Sequence, residues 1–575
     1  MEPPLDDPPS TATKADLDGL HFTDVTTSAG LDARQSTKSL TADMSMTSGA
    51  AVADVDGDGD ADIYVTRIGR PNSLYINDGR GHFTDTATAA GVDRAGAVGS
   101  SAAAFADIDA DGCPDLYVSG AGDRKRSSEA ALLVNDCNGH FTDETAARGV
   151  SLPATDADLG PQGHGVTFAD YDHDGFLDLL VLHWDPAFLG GDAAATAFRE
   201  VPDPSSICER IAATRAAGMD RTSSAGPNRS RLFHNDGTGH FTDVTQAMGL
   251  PLDQIAGFTG QFVDVDGDGW EDLAIAGDFC TSRLFHNDAG QKFVDVTASA
   301  GVGTDENGMG SVLRDIDGDG HPDWFVTSIA LRTRSGECPT RTGNTACSGN
   351  RLYVNQGDGT FRDLTDRYGV RNGWWGWGAA IEDFADDGRL QIAQTNGFVG
   401  EEQPRKRFTT DPMRFWVPSV KGATAGAPMV EAAKLAGLGV DGVGHGLVAF
   451  DADGDGDLDL LVANFGDPPN LFRNDRRNRH WLTVRLDDPT RPGNRQGIGA
   501  RVVVTPVAGE ASTTGWIGTD GSYESQRMPE LHVGLGRRAA TVATVEVWWP
   551  GATTPQVVAD VRPDRVLTVT RSAGP

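Results

Sequence analysis

Asp54-Val-Asp56-Gly-Asp58-Gly-Asp60-Ala-Asp62 decides the reading of this chain because it recurs, with further copies starting at Asp107, Asp170, Asp264, Asp315, Asp383 and Asp451. All but the Asp383 copy place Asp at positions 1, 3, 5 and 9 and Gly at position 6. That spacing turns alternate side chains inward onto one hard cation, and carboxylate oxygens are what calcium prefers. The expected ligands are Asp54, Asp56, Asp58 and Asp62; Asp107, Asp109, Asp111 and Asp115; Asp170, Asp172, Asp174 and Asp178. The later loops supply Asp264, Asp266, Asp268 and Asp272; Asp315, Asp317, Asp319 and Asp323; Asp451, Asp453, Asp455 and Asp459. An EF-hand would need Glu at position 12 and flanking helices, but position 12 is Val65, Val118, Val181, Ile275, Val326 or Val462, so each loop runs into a strand. In the copy at Asp383, Ala385 and Gln391 replace the second and last Asp, which predicts a turn kept and an ion lost. About six calcium ions are therefore expected.

A second element accompanies the loops: Leu74-Tyr-Ile-Asn-Asp-Gly-Arg-Gly-His-Phe83-Thr-Asp85, repeated at Leu132–Asp143, Leu232–Asp243, Leu284–Asp295 and Leu352–Asp363. It reads as a hairpin of two alternating strands around an Asn-Asp-Gly turn. With one strand before each acidic loop and one after it, every repeat supplies four strands, and seven repeats predict an all-β, seven-bladed propeller. Phe22-Thr-Asp24 precedes any acidic loop, whereas the last repeat stops at Asn470–Asp475 without such a strand. The N-terminus is thus expected to complete blade seven. Met429-Val-Glu-Ala is a weaker copy of the same strand in blade six.

Acidic loops flanked by these strands and followed by Leu-Tyr-x-Asn resemble the FG-GAP or VCBS repeats of integrin-type propellers. From Asn478 onward the composition changes. His480–Leu486, Gly497–Val502, Gly521-Ser-Tyr-Glu-Ser-Gln526, Val533–Gly536 and Val545–Gly551 resemble the ASPIC/UnbV domain. The two halves together resemble the cartilage acidic protein 1 family, which implies a calcium-binding extracellular protein with an appended β domain. The expected division is a disordered tail over 1–19, a propeller over 20–475 and the β domain over 476–575, docked beside blade seven.

The chain carries a formal charge of −35 and 83 acidic residues. Six divalent ions would bring the charge to about −23, an acidic balance that argues against nucleic acid as a partner. No apolar run is long enough to span a bilayer. Open acidic loops fill at roughly the millimolar calcium found outside cells, which with six cysteines predicts a secreted or periplasmic protein whose leader is not in this chain. Strand polarity favours the pairs Cys113–Cys137, Cys208–Cys280 and Cys338–Cys347.

Strand polarity also puts the calcium loops at one face, here called lower, and two insertions at the other: 183–228 in blade three, with a short helix expected over Ser205–Ala217, and 396–426 in blade six. Sequence signatures of nucleophilic, zinc or phosphate-loop enzymes are absent. What remains is the residue six before each first loop Asp, at the upper start of each innermost strand: Ser48, Ser101, His164, Phe258, Met309, Trp377 and His445. His164 and His445 share the frame Gly-His-Gly and are the candidates for acid/base work or polar contacts, within an apolar wall of Phe258, Met309 and Trp377. Trp374 and Trp375 either fill the wedge between blades or extend the ligand platform. The expected function is binding of a small molecule, glycan or protein over the upper face. The alternative is a non-redox cyclase, lyase or hydrolase of a small apolar molecule with its active site at the same mouth.

Overall fold

In a computed structural model of the chain, the first repeat forms Ala50–Ala53, Asp62–Val65, Ser73–Asn77 and Phe83–Asp85, each antiparallel to the next. The structure describes residues 12–34, 36, 46–94, 99–123, 126–127, 129–152, 163–184, 229–330, 348–399, 405–420, 428–439, 442–476, 478–507, 511–519, 521–537 and 542–572. Among them, seven such four-stranded sheets follow one another, and the innermost strand of each packs beside that of the next, the last (Gly444–Phe450) returning to the first. The sheets are the blades of a β-propeller. Phe22–Asp24 pairs with Asn470–Asn474, so the N-terminal strand closes the ring as expected.

Seven apolar clusters, one in each wedge between neighbouring blades, supply the adhesion. Ala102, Ala104 and Ala106 of one inner strand, for example, meet Val166, Phe168, Leu179 and Val181 of the next blade. Small residues crowd the narrow end of the wedge and larger ones fill its wide end. The hairpin asparagine adds a polar latch: Asn77 Nδ2 donates to the carbonyl of Ala61 in its own loop and of Ala452 in the preceding blade. Asn235, Asn287, Asn355 and Asn474 each bridge two loops in the same way. The repeat unit therefore encodes its own contact with its neighbour.

Two expectations need correction. Residues 14–17 form a helical turn with Leu17 and Leu20 buried against blades six and seven, so ordered chain begins before residue 20, because those apolar side chains have a wedge to fill. The C-terminal domain does not sit beside blade seven. It packs two sheets, Glu530–Gly536/His480–Asp487/Arg565–Thr570 and Thr513–Trp516/Arg501–Thr505/Val542–Trp548/Gln556–Val561, around a core of its own, and it lies across the lower face, over the acidic loops. Arg485 donates to the Gly59 carbonyl (3.2 Å), Arg491 pairs with Asp170 (2.9 Å) and His532 with Asp386 (2.7 Å), and Trp481 sits against Gly456. Ile498, Trp516 and Met528 enter the wedge clusters themselves. A mostly acidic face presents carboxylates that the arginines of the domain can satisfy, whereas a blade edge offers no such surface.

From this platform Thr519 and residues 521–528 rise into the axis of the propeller. Thr519 donates to the Phe168 carbonyl, Gln526 bonds both the N–H and the carbonyl of Phe105, and Ser525–Gln526 pairs parallel with Ala50–Ala51. The Ala379 N–H donates to Ser522 Oγ, and Ser522 bridges to Leu447. Innermost strands expose unpaired backbone groups along the axis, and this loop satisfies them. The Cys113–Cys137 disulfide is present, and Cys280 is disulfide-bonded to a partner beyond the described residues. Cys208, Cys338, Cys347, the helix expected over Ser205–Ala217 and nearly all of the blade-three insertion lie outside the described residues; of the blade-six insertion, 396–399 and 405–420 are described, and Arg414–Pro418 within it is that blade's third strand.

Candidate functional site

The acidic loops are shaped by their own backbone. Asp54 accepts from Gly57 N (2.8 Å) and Gly59 N (3.0 Å), Asp56 from Asp58 N and Asp58 from Asp60 N. Gly57 and Gly59 have φ of +78° and +98°, which only glycine adopts without strain. The loops at Asp264 and Asp451 repeat the set bond for bond. Position nine also braces the blade, since buried Asp62 accepts from Val55 N and Asn77 N, both at 2.8 Å, and so clamps loop, strand and hairpin together.

The carboxylate oxygens of Asp54, Asp56 and Asp58 lie within 4.8 Å of one another. Burial, and then the neighbouring carboxylates, hold Asp54 and Asp56 above the ordinary carboxylate range. Burial pushes Asp62 up to about 7 and Asp115, Asp272 and Asp323 to about 8 against the pull of their backbone hydrogen bonds. An all-oxygen donor set under mutual repulsion fits a hard divalent cation. At the Asp383 loop the turn survives, with Asp387 N and Gly388 N donating to Asp383, while the Gln391 amide oxygen accepts from Ala385 N in place of the clamp. There the C-terminal domain occupies the loop instead, with Gly534 N donating to Asp383.

Several loops carry arginine or histidine neighbours that their own nine residues do not announce. Arg148 pairs with Asp109 (2.9 Å) and Arg491 with Asp170. His234 Nδ1 lies 3.3 and 3.1 Å from Asp172 and Asp178, and His286 Nδ1 lies 3.1 Å from both Asp266 and Asp272. The Asp178 hydrogen bond raises His234 to about 9. The signal was in the hairpins, where Leu-Phe-His-Asn occurs in these two repeats alone.

The upper end of the axis gathers the ring residues. Phe258, Met309, Trp374 and Trp377 form one buried cluster with Ile329, Phe398, Phe408 and Tyr523, and Trp184 and Trp375 pack against it. Centroid distances are 4.9 Å for His164–Phe258, 4.7 Å for His445–Trp377 and 4.8 Å for Trp377–Tyr523. Tyr523 lies between the two histidines, 5.9 Å from one and 6.1 Å from the other. Trp375 stacks on Phe398 at 4.3 Å. The two serines serve the framework: Ser101 Oγ donates to the Gly163 carbonyl and Ser48 Oγ to that of Asn464 (2.9 Å). Sequence reasoning missed the centre of the cluster, Tyr523 and Glu524, which arrive from the other domain. Glu524 meets His164 Nδ1 at 2.6 Å and accepts from Ser48 N at 2.6 Å.

Burial lowers His164 and His445 to about 3 and raises Glu524 well above its ordinary value. The Thr47 backbone approaches His445, yet neither ring nitrogen makes a hydrogen bond of ordinary geometry among the described residues. The indole N–H groups of Trp374 and Trp375 are likewise buried without partners among the described residues. Buried polar groups with unspent hydrogen bonds, set in an aromatic wall, are the composition of a small-molecule site.

An FG-GAP-like repeat family matches residues 54–118, 222–275 and 264–326, and the ASPIC and UnbV family matches residues 490–575. The chain carries FG-GAP repeats and an ASPIC/UnbV domain. It is similar to cartilage acidic protein 1 of Mus musculus, at 26% identity over 541 residues covering 87% of this chain and 70% of that protein. The Homo sapiens protein of the same name is 29% identical over 283 residues, 46% of this chain and 37% of that one. Solved structures with partial similarity include the extracellular domain of a hybrid two-component system protein from B. thetaiotaomicron (7% identity, TM-score 0.37, covering 93% of this chain and 57% of that one). BBS1N, solved in complex with ARL6DN, has 10% identity and a TM-score of 0.38, with 78% of this chain and 97% of that one covered. Among the described residues, no helix is long and apolar enough to cross a membrane.

Proposed function

We propose that this chain is a calcium-stabilised propeller that binds a small, largely apolar molecule at the upper end of its axis, over a floor shared by the inner strands and the loop from the C-terminal domain. Calcium in six loops holds the lower face, where the domain docks. The observation that carries the reading is His445: fully buried, beside Trp377 and Tyr523, with no well-formed hydrogen bond to either ring nitrogen among the described residues. A buried imidazole costs on the order of 1–3 kcal/mol for each unmet bond, so a site that keeps one has a use for it. The disulfides support a secreted or periplasmic setting.

The test is a fluorescence titration of the calcium-loaded protein with the apolar aromatic probe 1-anilinonaphthalene-8-sulfonate, set against folded His445→Phe and Trp377→Leu variants. Saturable binding at one site, weakened about tenfold by either change, supports the reading. Binding that is absent, or equal in all three proteins, moves the site elsewhere.

A further inference from the structure

The acidic loop of blade three departs from its intact sisters at the ninth position. In the sister loops the Oδ2 of Asp62, Asp115, Asp272, Asp323 and Asp459 accepts from the backbone N–H of the second loop residue, at 2.8–3.1 Å. Asp178 Oδ2 has no hydrogen-bond partner among the described residues, although its side chain is 1% exposed. Its Oδ1 accepts from Asn235 N at 2.8 Å and lies 3.1 Å from His234 Nδ1. The same Nδ1 is 3.3 Å from Asp172 Oδ2. Asp172, Asp178 and His234 thus offer one ligand atom each within a span of 4.8 Å. Position one is altered as well. Arg491 of the C-terminal domain binds Asp170 Oδ2 at 2.9 Å and Asn494 Nδ2 approaches it at 3.4 Å, whereas both oxygens of Asp54, Asp264 and Asp451 accept from loop amides. His173, the fourth loop residue, pairs with Glu271 of blade four at 2.7 Å.

Calcium is held by oxygen ligands, so a loop that shares one carboxylate with an arginine and gains an imidazole is a poorer calcium site than its sisters. Imidazole beside carboxylate suits zinc and the neighbouring first-row divalent ions. Ligands held at about 2.0–2.2 Å in a tetrahedron stand about 3.3–3.6 Å apart, close to the separations of Nδ1 from the two carboxylate oxygens. We propose that the blade-three loop is a mixed nitrogen and oxygen site that takes zinc or a first-row transition ion in preference to calcium, with His234 Nδ1, Asp172 and Asp178 as ligands. The ion takes the place of the proton that Nδ1 shares with the two carboxylates, and that proton leaves to solvent. A buried carboxylate oxygen without a partner is costly until something meets it. Because Asp178 is not tied to the second loop residue, its carboxylate is free to turn as the ion enters, which two amides prevent in the sister loops. The inference rests on the acidic loops being cation sites and changes the ion for one of them. Blade four has its own imidazole, His286, 3.1 Å from both Asp266 and Asp272. There, however, Asp272 keeps both backbone amides and Asp264 keeps its own two, so that loop remains a calcium loop.

The experiment is metal analysis of the full chain after dialysis against about 1 mM calcium with zinc in slight excess over protein. The wild-type chain should retain one zinc ion beside the calcium of the other loops. Val134 and Val354 stand in blades two and five where His234 stands in blade three, so His234→Val keeps the fold. That variant should hold zinc about tenfold more weakly, and His286→Val should leave it in place. Copper(II) in place of zinc gives a direct readout of the ligand, since its paramagnetic resonance should show coupling to an imidazole nitrogen that disappears in His234→Val. Zinc content equal in wild type and His234→Val, or lost from His286→Val instead, overturns the proposal. Calcium is counted in the same samples. A chain that holds calcium but no zinc refutes this site alone, and one that holds neither metal refutes the cation reading of the loops along with it.

Discussion

Gln526 offers the sharpest test of how the axial loop is seated. Its side chain, 2% exposed, accepts from Phe105 N at 2.6 Å and donates to the Phe105 carbonyl at 2.7 Å, so it closes the inner edge of blade two as a neighbouring strand would. Gln526→Ala removes both bonds and leaves a buried donor and a buried acceptor without partners. At roughly 1–3 kcal/mol each, the expected loss is about 2–6 kcal/mol. The backbone pairing of Ser525–Gln526 with Ala50–Ala51 is untouched, so the variant keeps the fold. Guanidinium unfolding followed by tryptophan emission and by far-ultraviolet dichroism should show both curves moving to lower denaturant together, because tryptophans of the propeller and of the C-terminal domain share the clusters that the loop joins. A loss below about 0.5 kcal/mol, or a shift in one probe alone, would refute the seating, since surface substitutions already reach that size.

Chelation of calcium should lower the thermal midpoint markedly, and metal analysis of protein purified without chelator should return about six ions per chain; an unchanged midpoint or a count of zero ends the assignment. Asp62→Ala strands Val55 N and Asn77 N and should cost about 2–5 kcal/mol even in metal-free protein, measured by denaturant unfolding against the half-buried Asp60→Ala as control. Metal-free protein should lose stability as pH rises from about 4 to about 8. Asp62, Asp115, Asp272 and Asp323 titrate at about 7 to 8 when folded and near 3.8 when unfolded, so the folded state holds more protons across that window. Calcium should flatten the slope, and a metal-free protein whose midpoint rises over that range contradicts it. Deleting residues 480–575 uncovers the lower face and strips the axis, so the remaining propeller should aggregate on size-exclusion chromatography; a monodisperse truncated propeller with unchanged dichroism would count against an integral C-terminal domain.

The propeller was legible because its information is local and repeated. Each loop runs into a strand, every hairpin but that of blade six, where Pro418 stands in its place, carries the latch asparagine, and Phe22 stands where a missing strand is due. Ring residues followed from register alone: Phe258, Met309, Trp377 and the two histidines converge because every inner strand starts at the same height. Position nine could be read as a ligand but not as a clamp, since its amide partners lie 7 and 15 residues away. The axial loop was illegible for the same reason on a larger scale. Gly521–Gln526 has no apolar periodicity, and Glu524 meets His164 across 360 residues, a separation that no spacing rule covers. An apolar turn at Lys14–Leu17 went unread because one leucine among prolines and acids gives no pattern until its wedge is known.

The closing strand Phe22–Asp24 has consequences for the order of assembly. It is made early, yet its partner Asn470–Asn474 emerges about 450 residues later, roughly 20–90 s at ordinary synthesis rates. For that interval blade one is complete but its neighbour is missing, and a free Phe-Thr-Asp edge waits beside it, an invitation to pair with another chain. The axial loop then comes last of all, from a domain that must find a ring already closing around the place it will occupy. A ribosome-bound intermediate with six blades and an empty axis is therefore the species most in need of a chaperone, and slowing synthesis near residue 480 should change the yield of folded protein more than slowing it anywhere earlier.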